Sequence, residues 1–376
     1  MLLAALTLAG AGKILTFIAT LSVLIILHEF GHFIVARRNG VRVIEFSLGM
    51  GPLIYSWKSK RSGTLYSVRA LLIGGYCQMQ GEDGKTSEAE QQRDFQTTAA
   101  HDDDNFQAKS PWRRLAIVLA GPFANFVLCY LILLVAALAF GVQGDGARPL
   151  IGMLVAGSPA EHAGLEVGDR IVAIDGKAIA NGKDLIARIH GSLGKRLHLV
   201  YSRGGEEHAV DVTPGPCPPE VGPKLGCIGF QPVPTYQRVG VGEAFVDSGY
   251  GFVNIADSTL DSFVLLITHF SKYSSQTMGP IGMGQAAVTI QDWGWGPYLG
   301  LAALISFALG LFNLLPIPAL DGGRAAFIVA ELIRGKPVDP EKEAMVHIAG
   351  FAAIMALMLL VAFHDIARIA AGKGLM

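Results

Sequence analysis

Hydrophobic residues in this chain gather into long runs separated by polar segments, and that pattern predicts most of the architecture. Three runs reach the ~20 apolar residues that a membrane-crossing helix needs: 14–35, 115–140 and 298–320. A fourth, 346–363, is shorter but long enough if it stands upright. The run 244–270 follows Glu243 and is interrupted by Asp247, Asn254, Asp257 and Asp261. That suits an amphipathic helix lying on the interface better than a span.

Between the first two runs the pattern changes period. Phe46–Leu48, Leu53–Tyr55 and Tyr66–Met79 are strand-length stretches punctuated by Gly and Pro, which predicts a small antiparallel meander. From Glu82 to Lys109 the chain is polar and acidic, including Asp102-Asp103-Asp104, and reads as a solvated loop. Residues 145–213 read as a compact α+β domain. Ser158-Pro159 suits a helix start, Gly164 its end, and Asp169–Ile174 a strand running into an Asp175-Gly176 turn. A helix over 183–189 and strands over 198–201 and 208–212 complete a pattern that resembles a bacterial PDZ domain. The stretch 214–235 reads as a Pro-rich linker.

Composition strengthens the membrane reading. Hydrophobic residues make up 51% of the 376 and charged residues only 16%, with a mean hydropathy of +0.42. A soluble domain carries roughly a quarter charged residues. The net charge of −1 gives no footprint for a polyanion, so nucleic acid is not an expected partner. The first twelve residues contain no Lys or Arg, so the first run is expected to stay as an anchor rather than act as a cleaved signal. Basic residues set the orientation. Arg37, Arg38, Arg42, Lys109, Arg113 and Arg114 put 37–112 in the cytoplasm, and Arg324, Arg334, Lys336 and Lys342 do the same for 323–345. The segment 141–296 and both termini then lie outside. Cys77 and Cys129 are expected reduced; Cys217 and Cys227 lie in the external segment, either bridged or as two buried thiols.

The chemistry-bearing string is His28-Glu29-Phe30-Gly31-His32. On a helix, residues four apart share a face, so both imidazoles reach one metal ion with Glu29 beside the water it holds. A catalytic zinc site takes three protein ligands and keeps one position for water. The third run ends in Pro316, Pro318 and Asp321-Gly322-Gly323, and Asp321 is the carboxylate nearest that helix end, at the depth of the first motif. Broken helix at membrane depth is tolerated where it lines a cavity enclosed by protein. The remaining histidines, 101, 162, 190, 198, 208, 269, 347 and 364, show no ligand spacing and are expected at surfaces or interfaces.

Together these strings resemble the site-2 protease family of intramembrane zinc metalloproteases, and within it the bacterial regulator-of-sigma-E protease group. The resemblance runs nearly end to end. It rests on His28–His32, Gly121-Pro122-Phe123-Ala124-Asn125, the external PDZ-like domain, Gly279-Pro280-Ile281-Gly282 and Asn313 through Gly323. It implies Zn2+ held by His28, His32 and Asp321, with Glu29 as catalytic acid/base and Asn313 and Asn125 positioning substrate. Larger members of the group carry two tandem PDZ domains where this chain shows one.

A helical substrate hides its carbonyls in its own hydrogen bonds, so it must be unwound locally before hydrolysis. An exposed edge strand can accept the unwound segment. The candidate is 66–79, around Leu71-Leu72-Ile73-Gly74-Gly75-Tyr76, where the resembled family has a membrane-associated β-hairpin. The expected fold is therefore a polytopic α-helical membrane protein of about four spans, with a cytoplasmic β-hairpin or meander and an inserted external α+β PDZ domain.

In order, the expected segments are 1–36 (first span), 37–112 (hairpin and loop), 113–141 (second span) and 145–213 (PDZ domain). They continue with 214–240 (linker), 241–296 (interfacial segment), 297–323 (third span) and 345–370 (fourth span). The expected activity is that of an endopeptidase in the bacterial inner membrane. It would cut single-span membrane proteins, such as anti-sigma factors or remnant signal peptides, after another protease has removed their external part. A PDZ scaffold without catalysis would not need Glu29. A zinc transporter would spread its polar residues along the spans instead of gathering them at one depth.

Overall fold

The computed structural model describes residues 8–82, 102–155, 157–217, 221–269, 279–336 and 338–370. They fall into two compact units, Met1–Leu133 with Phe252–Leu260 and Leu301–Leu359, and Leu134–Gly251 with Asp261–Gly300 and Leu360–Met376. The expected acidic loop lies outside the described residues over 83–101, and His101 with it.

In the first unit, helix α1 (Leu8–Arg38) ends on two arginines, which favour a helix C-terminus. Two long strands follow, β1 (Val43–Lys58) and β2 (Leu65–Met79). The expected meander of three short strands is in fact these two, each bent in the middle. Gly49 and Gly51 take left-handed backbone angles that let β1 turn without ending. The stretch Glu45–Leu48 consequently pairs on both sides, with Leu65–Val68 and with Gly75–Gln78, while Leu53–Lys58 pairs with Leu65–Arg69. Gly75–Met79 is left as an edge. Its base is fixed by a core of Phe33, Val43, Phe46, Cys77, Ile117 and Ile328. Toward the far end Met50, Leu53, Ile54, Tyr55, Leu71 and Leu72 are exposed, an apolar tip.

Helix α2 (Pro111–Phe140) carries Pro122 internally. It meets α1 at glycine. A Cβ on Gly31 would lie 2.4 Å from the Ala120 carbonyl oxygen, so no other residue permits this approach.

In the second unit, β3 (Val142–Leu154), β4 (Arg170–Ile174), β6 (Leu197–Arg203) and β7 (Glu206–Val212) form an antiparallel sheet, with β5 (Lys177–Ala178) paired to β4. Ser158 caps the short helix α3 (Pro159–His162), and Asn181 caps α4 (Gly182–His190). Ile151, Leu165, Ile171, Leu185 and Leu199 fill the core. The expected Pro-rich linker differs most. It contains β8 (Gly215–Pro216), β9 (Gly226–Cys227) and β10 (Phe230–Gln237), and β10 is the edge strand paired to β3. Pro232 and Pro234 lack ladder donors, and an edge tolerates them. Cys217 and Cys227 form a disulfide.

The remaining helices are α5 (Val241–Thr268), α6 (Pro280–Gln291), α7 (Trp295–Leu314), α8 (Asp321–Arg334) and α9 (Pro340–Ala370). Among the described residues five helices are long and apolar enough to cross a membrane: α1, α2, α5, α7 and α9. The expected interfacial segment thus contains a fifth candidate span, α5. Its mean hydropathy of 1.2 is the lowest of the five, against 1.7 to 2.5 in the others. Exposed Val23, Leu131, Val135, Leu360 and Phe363 on these helices match a lipid-facing surface.

Candidate metal centre

All residues of this centre belong to the first unit. The helical spacing puts His28 and His32 on the face of α1 that meets α2, and both are buried. Asp321 arrives from the opposite end of the sequence. After α7 the chain breaks at Pro316 and Pro318, turns through Ala319 in a left-handed conformation (φ 78°), and re-enters helix at Asp321. That re-entry needs both glycines. A Cβ on Gly322 would sit 2.2 Å from the Leu315 carbonyl oxygen, and one on Gly323 2.4 Å from that of Ile317.

Three atoms converge. His28 Nε2 lies 3.0 Å from Asp321 Oδ2, His32 Nε2 lies 3.3 Å from the same oxygen, and the two nitrogens are 3.3 Å apart. Ligand atoms held ~2.0 Å from a tetrahedral zinc are about 3.3 Å from each other, so the trio fits this ion. Asp321 Oδ2 is buried and, among the described residues, makes no hydrogen bond of acceptable geometry despite the short distance to His28. All three atoms lie within 3.3 Å of one another. Gly121 makes room for them, since a Cβ there would lie 2.2 Å from His32 Nε2 and 2.8 Å from His28 Cε1.

The outer nitrogens are also engaged. His32 Nδ1 donates to the Ile117 carbonyl at 2.8 Å, leaving Nε2 free to ligate. His28 Nδ1 lies 3.0 Å from Asn125 Nδ2. Glu29 accepts a hydrogen bond from the Cys77 backbone N–H at 3.1 Å. It lines a cavity of about 640 Å³ together with His32, Tyr76, Asp321, Arg324 and His347.

Of the candidate substrate residues, Tyr76 lines that cavity, whereas Asn125, Asn313, Leu72, Gly74 and Gly75 do not. Asn125 is fully buried against His28, which differs from the substrate contact expected of it. Asn313 is half-buried, one residue before the α7 C-terminus. Leu72 is exposed on the hairpin tip and its carbonyl accepts from the Ser22 hydroxyl. Gly74 and Gly75 are buried, and the Ile73 side chain lies outside the described residues. The cavity wall continues through Cys77, Gln78 and Met79 instead.

Sequence reasoning missed three polar groups here. His347, expected at a surface or interface, lines the cavity and accepts from the Ala319 N–H at 2.8 Å, holding the turn before Asp321. Arg324 pairs with Glu82, which also accepts from the Met79 N–H at 3.1 Å. The one available signal was polarity within or beside apolar helix, a mark of function at membrane depth.

Comparison with known proteins agrees with this chemistry. The family model for Peptidase family M50 matches residues 16–357. The zinc metalloprotease RasP of Geobacillus kaustophilus is 30% identical, with 95% of this chain and 98% of that one covered. The protein of the same name from Shouchella clausii is 31% identical over 95% and 99%. The regulator of sigma-W protease RasP of Bacillus subtilis is 29% identical over 95% and 98%. Among solved structures, the PDZ domain of the SdrC-like protein Lmo2051 from Listeria monocytogenes matches 24% of this chain and 92% of its own, at 26% identity and a TM-score of 0.21. With the family model covering nearly its whole length, this chain belongs to peptidase family M50 and is a zinc metalloprotease.

Proposed function

We propose that the protein is an intramembrane endopeptidase of site-2 type that cuts single-span membrane proteins, with zinc held by His28, His32 and Asp321. The convergence of His28 Nε2, His32 Nε2 and Asp321 Oδ2 within 3.3 Å carries this reading. Zinc, when bound, supplies a Lewis acid that polarises a carbonyl and acidifies water. Glu29 takes the proton of the attacking water and delivers it to the leaving nitrogen. The Cys77 N–H orients that carboxylate toward the cavity.

Substrate enters as an extended segment along the edge Gly75–Met79. Two observations support this. Gly75–Gln78 pair with β1 on one side, and Tyr76 to Met79 form the cavity wall beside Asp321. An added strand therefore runs past the metal ligands. Asn313 contributes to substrate positioning from the end of α7. The exposed apolar tip, with Leu71 and Leu72, dips into the bilayer edge.

The chain sits in a bacterial inner membrane with the metal centre near the cytoplasmic side. The β3–β10 domain is a PDZ domain on the periplasmic side, screening substrates that another protease has already shortened. Anti-sigma factors and remnant signal peptides are the substrate classes that fit. Exchanging Asp321→Asn in the detergent-purified chain tests the ligand set: zinc content should fall from one per chain to near none. Full zinc in that variant refutes it.

A further inference from the structure

Asn125 sits at zero exposure inside α2, facing α1. Its backbone carbonyl accepts from the Ser306 hydroxyl at 2.8 Å, so the main chain at this position is tied to α7 independently of the side chain. The side-chain amide has one neighbour of note, His28 Nδ1, at 3.0 Å from Nδ2. The amide oxygen, Oδ1, is buried and has no hydrogen-bond partner among the described residues.

These facts combine with the direction of the other ring nitrogen. His28 Nε2 points to the meeting point with His32 Nε2 and Asp321 Oδ2. A neutral imidazole carries one proton, and a ligating nitrogen must offer its lone pair. The proton then resides on Nδ1, which becomes a donor. Facing it with Nδ2 would set donor against donor and leave Oδ1 orphaned. Oxygen and nitrogen of an amide have nearly the same shape, so a half-turn about Cβ–Cγ resolves both conflicts at once. Oδ1 then accepts from Nδ1–H, in the role the Ile117 carbonyl plays for His32.

We infer that Asn125 is a positioning residue of the metal centre: its amide oxygen holds His28 in the tautomer and ring orientation that present Nε2 to zinc. This rests on the ligand set proposed above. It replaces substrate contact as the role of Asn125, because the side chain is enclosed between α1 and α2 and does not line the cavity. The requirement is for an acceptor at this spot and not for an amide as such. Aspartate should serve, and an apolar side chain of similar size should not.

The test compares zinc affinity of the unaltered chain with Asn125→Leu, Asn125→Asp and Ser306→Ala, by competition with a chromophoric chelator in detergent. Helical content is followed in parallel by circular dichroism. Asn125→Leu should weaken zinc binding roughly 10- to 100-fold with helix content unchanged, the range for loss of an outer-shell partner. Asn125→Asp should recover most of that loss. Ser306→Ala removes the α2–α7 bond without touching the amide and should leave affinity as it was.

Zinc held by Asn125→Leu as tightly as by the unaltered chain overturns the inference. So does an Asp variant that stays folded yet loses zinc with Leu, or a Ser306→Ala loss equal to that of Leu, which would mark general packing. A chain that binds no zinc even unaltered fails at the ligand set itself and takes the inference with it.

Discussion

Gly121→Ala is the smallest change that should destroy the metal centre. A single methyl group at this position lies 2.2 Å from His32 Nε2 and 2.8 Å from His28 Cε1. Ordinary contact distance is about 3.5 Å, so the His32 ring would have to give by more than ~1 Å. Zinc sites tolerate ligand displacements of about 0.2 Å. The ring has little room to retreat. Its Nδ1 is bonded to the Ile117 carbonyl at 2.8 Å, and the His28 nitrogen lies 3.3 Å from its Nε2. Separating α1 from α2 would relieve the clash only by opening the close crossing at Gly31. Overpacking of this kind costs about 1–3 kcal/mol of fold stability. Displacing one ligand of three should cost zinc affinity a factor of about 100 or more, near 2.7 kcal/mol. The assay is chelator competition on the purified chain beside Gly300→Ala, whose added methyl meets nothing within 4 Å. The control should bind zinc normally. Gly121→Ala that binds zinc as tightly as the control would refute the geometric reasoning.

Two other variants probe parts away from the ligands. Leu72→Pro on the hairpin should lower cleavage of a single-span substrate by about tenfold or more through misplacement of the edge strand, while zinc content stays at one per chain; equal cleavage would remove the hairpin from substrate handling. Replacing Cys217 and Cys227 with Ser opens a loop closed at a sequence separation of 10. That should cost the β3–β10 domain about 2–3 kcal/mol, read as faster proteolysis between 214 and 237 with zinc content unchanged; unaltered proteolysis would make the bridge dispensable.

The candidate ligands were legible in the sequence because each sits in a local pattern with one mechanical meaning. Four-residue spacing on a helix aligns His28 with His32, and a Pro-broken helix end followed by Gly322-Gly323 isolates Asp321. What the sequence did not disclose depends on which elements meet. Nothing in the order of residues says that Asn125 would face His28, that Gly121 would face both imidazoles, or that His347 would support the Ala319 turn. Proline misled in one place. Pro232 and Pro234 suggested a linker, but β10 is an edge strand, where a missing donor leaves no ladder bond unmade. Glycine misled in another. Gly49 and Gly51 looked like strand ends and are bends within β1, because a left-handed residue can redirect a strand that keeps its pairing. The amphipathic helix expected within 241–296 is present as α5, 28 residues long.

Zinc-dependent peptide hydrolysis with Glu29 as its proton carrier is tested by purifying the chain beside Glu29→Gln and measuring zinc content and cleavage of a single-span model substrate in both. Glu29 lies between the two imidazoles in sequence but belongs to no ligand pair, so its loss should spare the metal. One zinc per chain is expected in each protein, with cleavage only in the unaltered one. Cleavage by Glu29→Gln at an undiminished rate, or no zinc in either protein, would contradict that expectation.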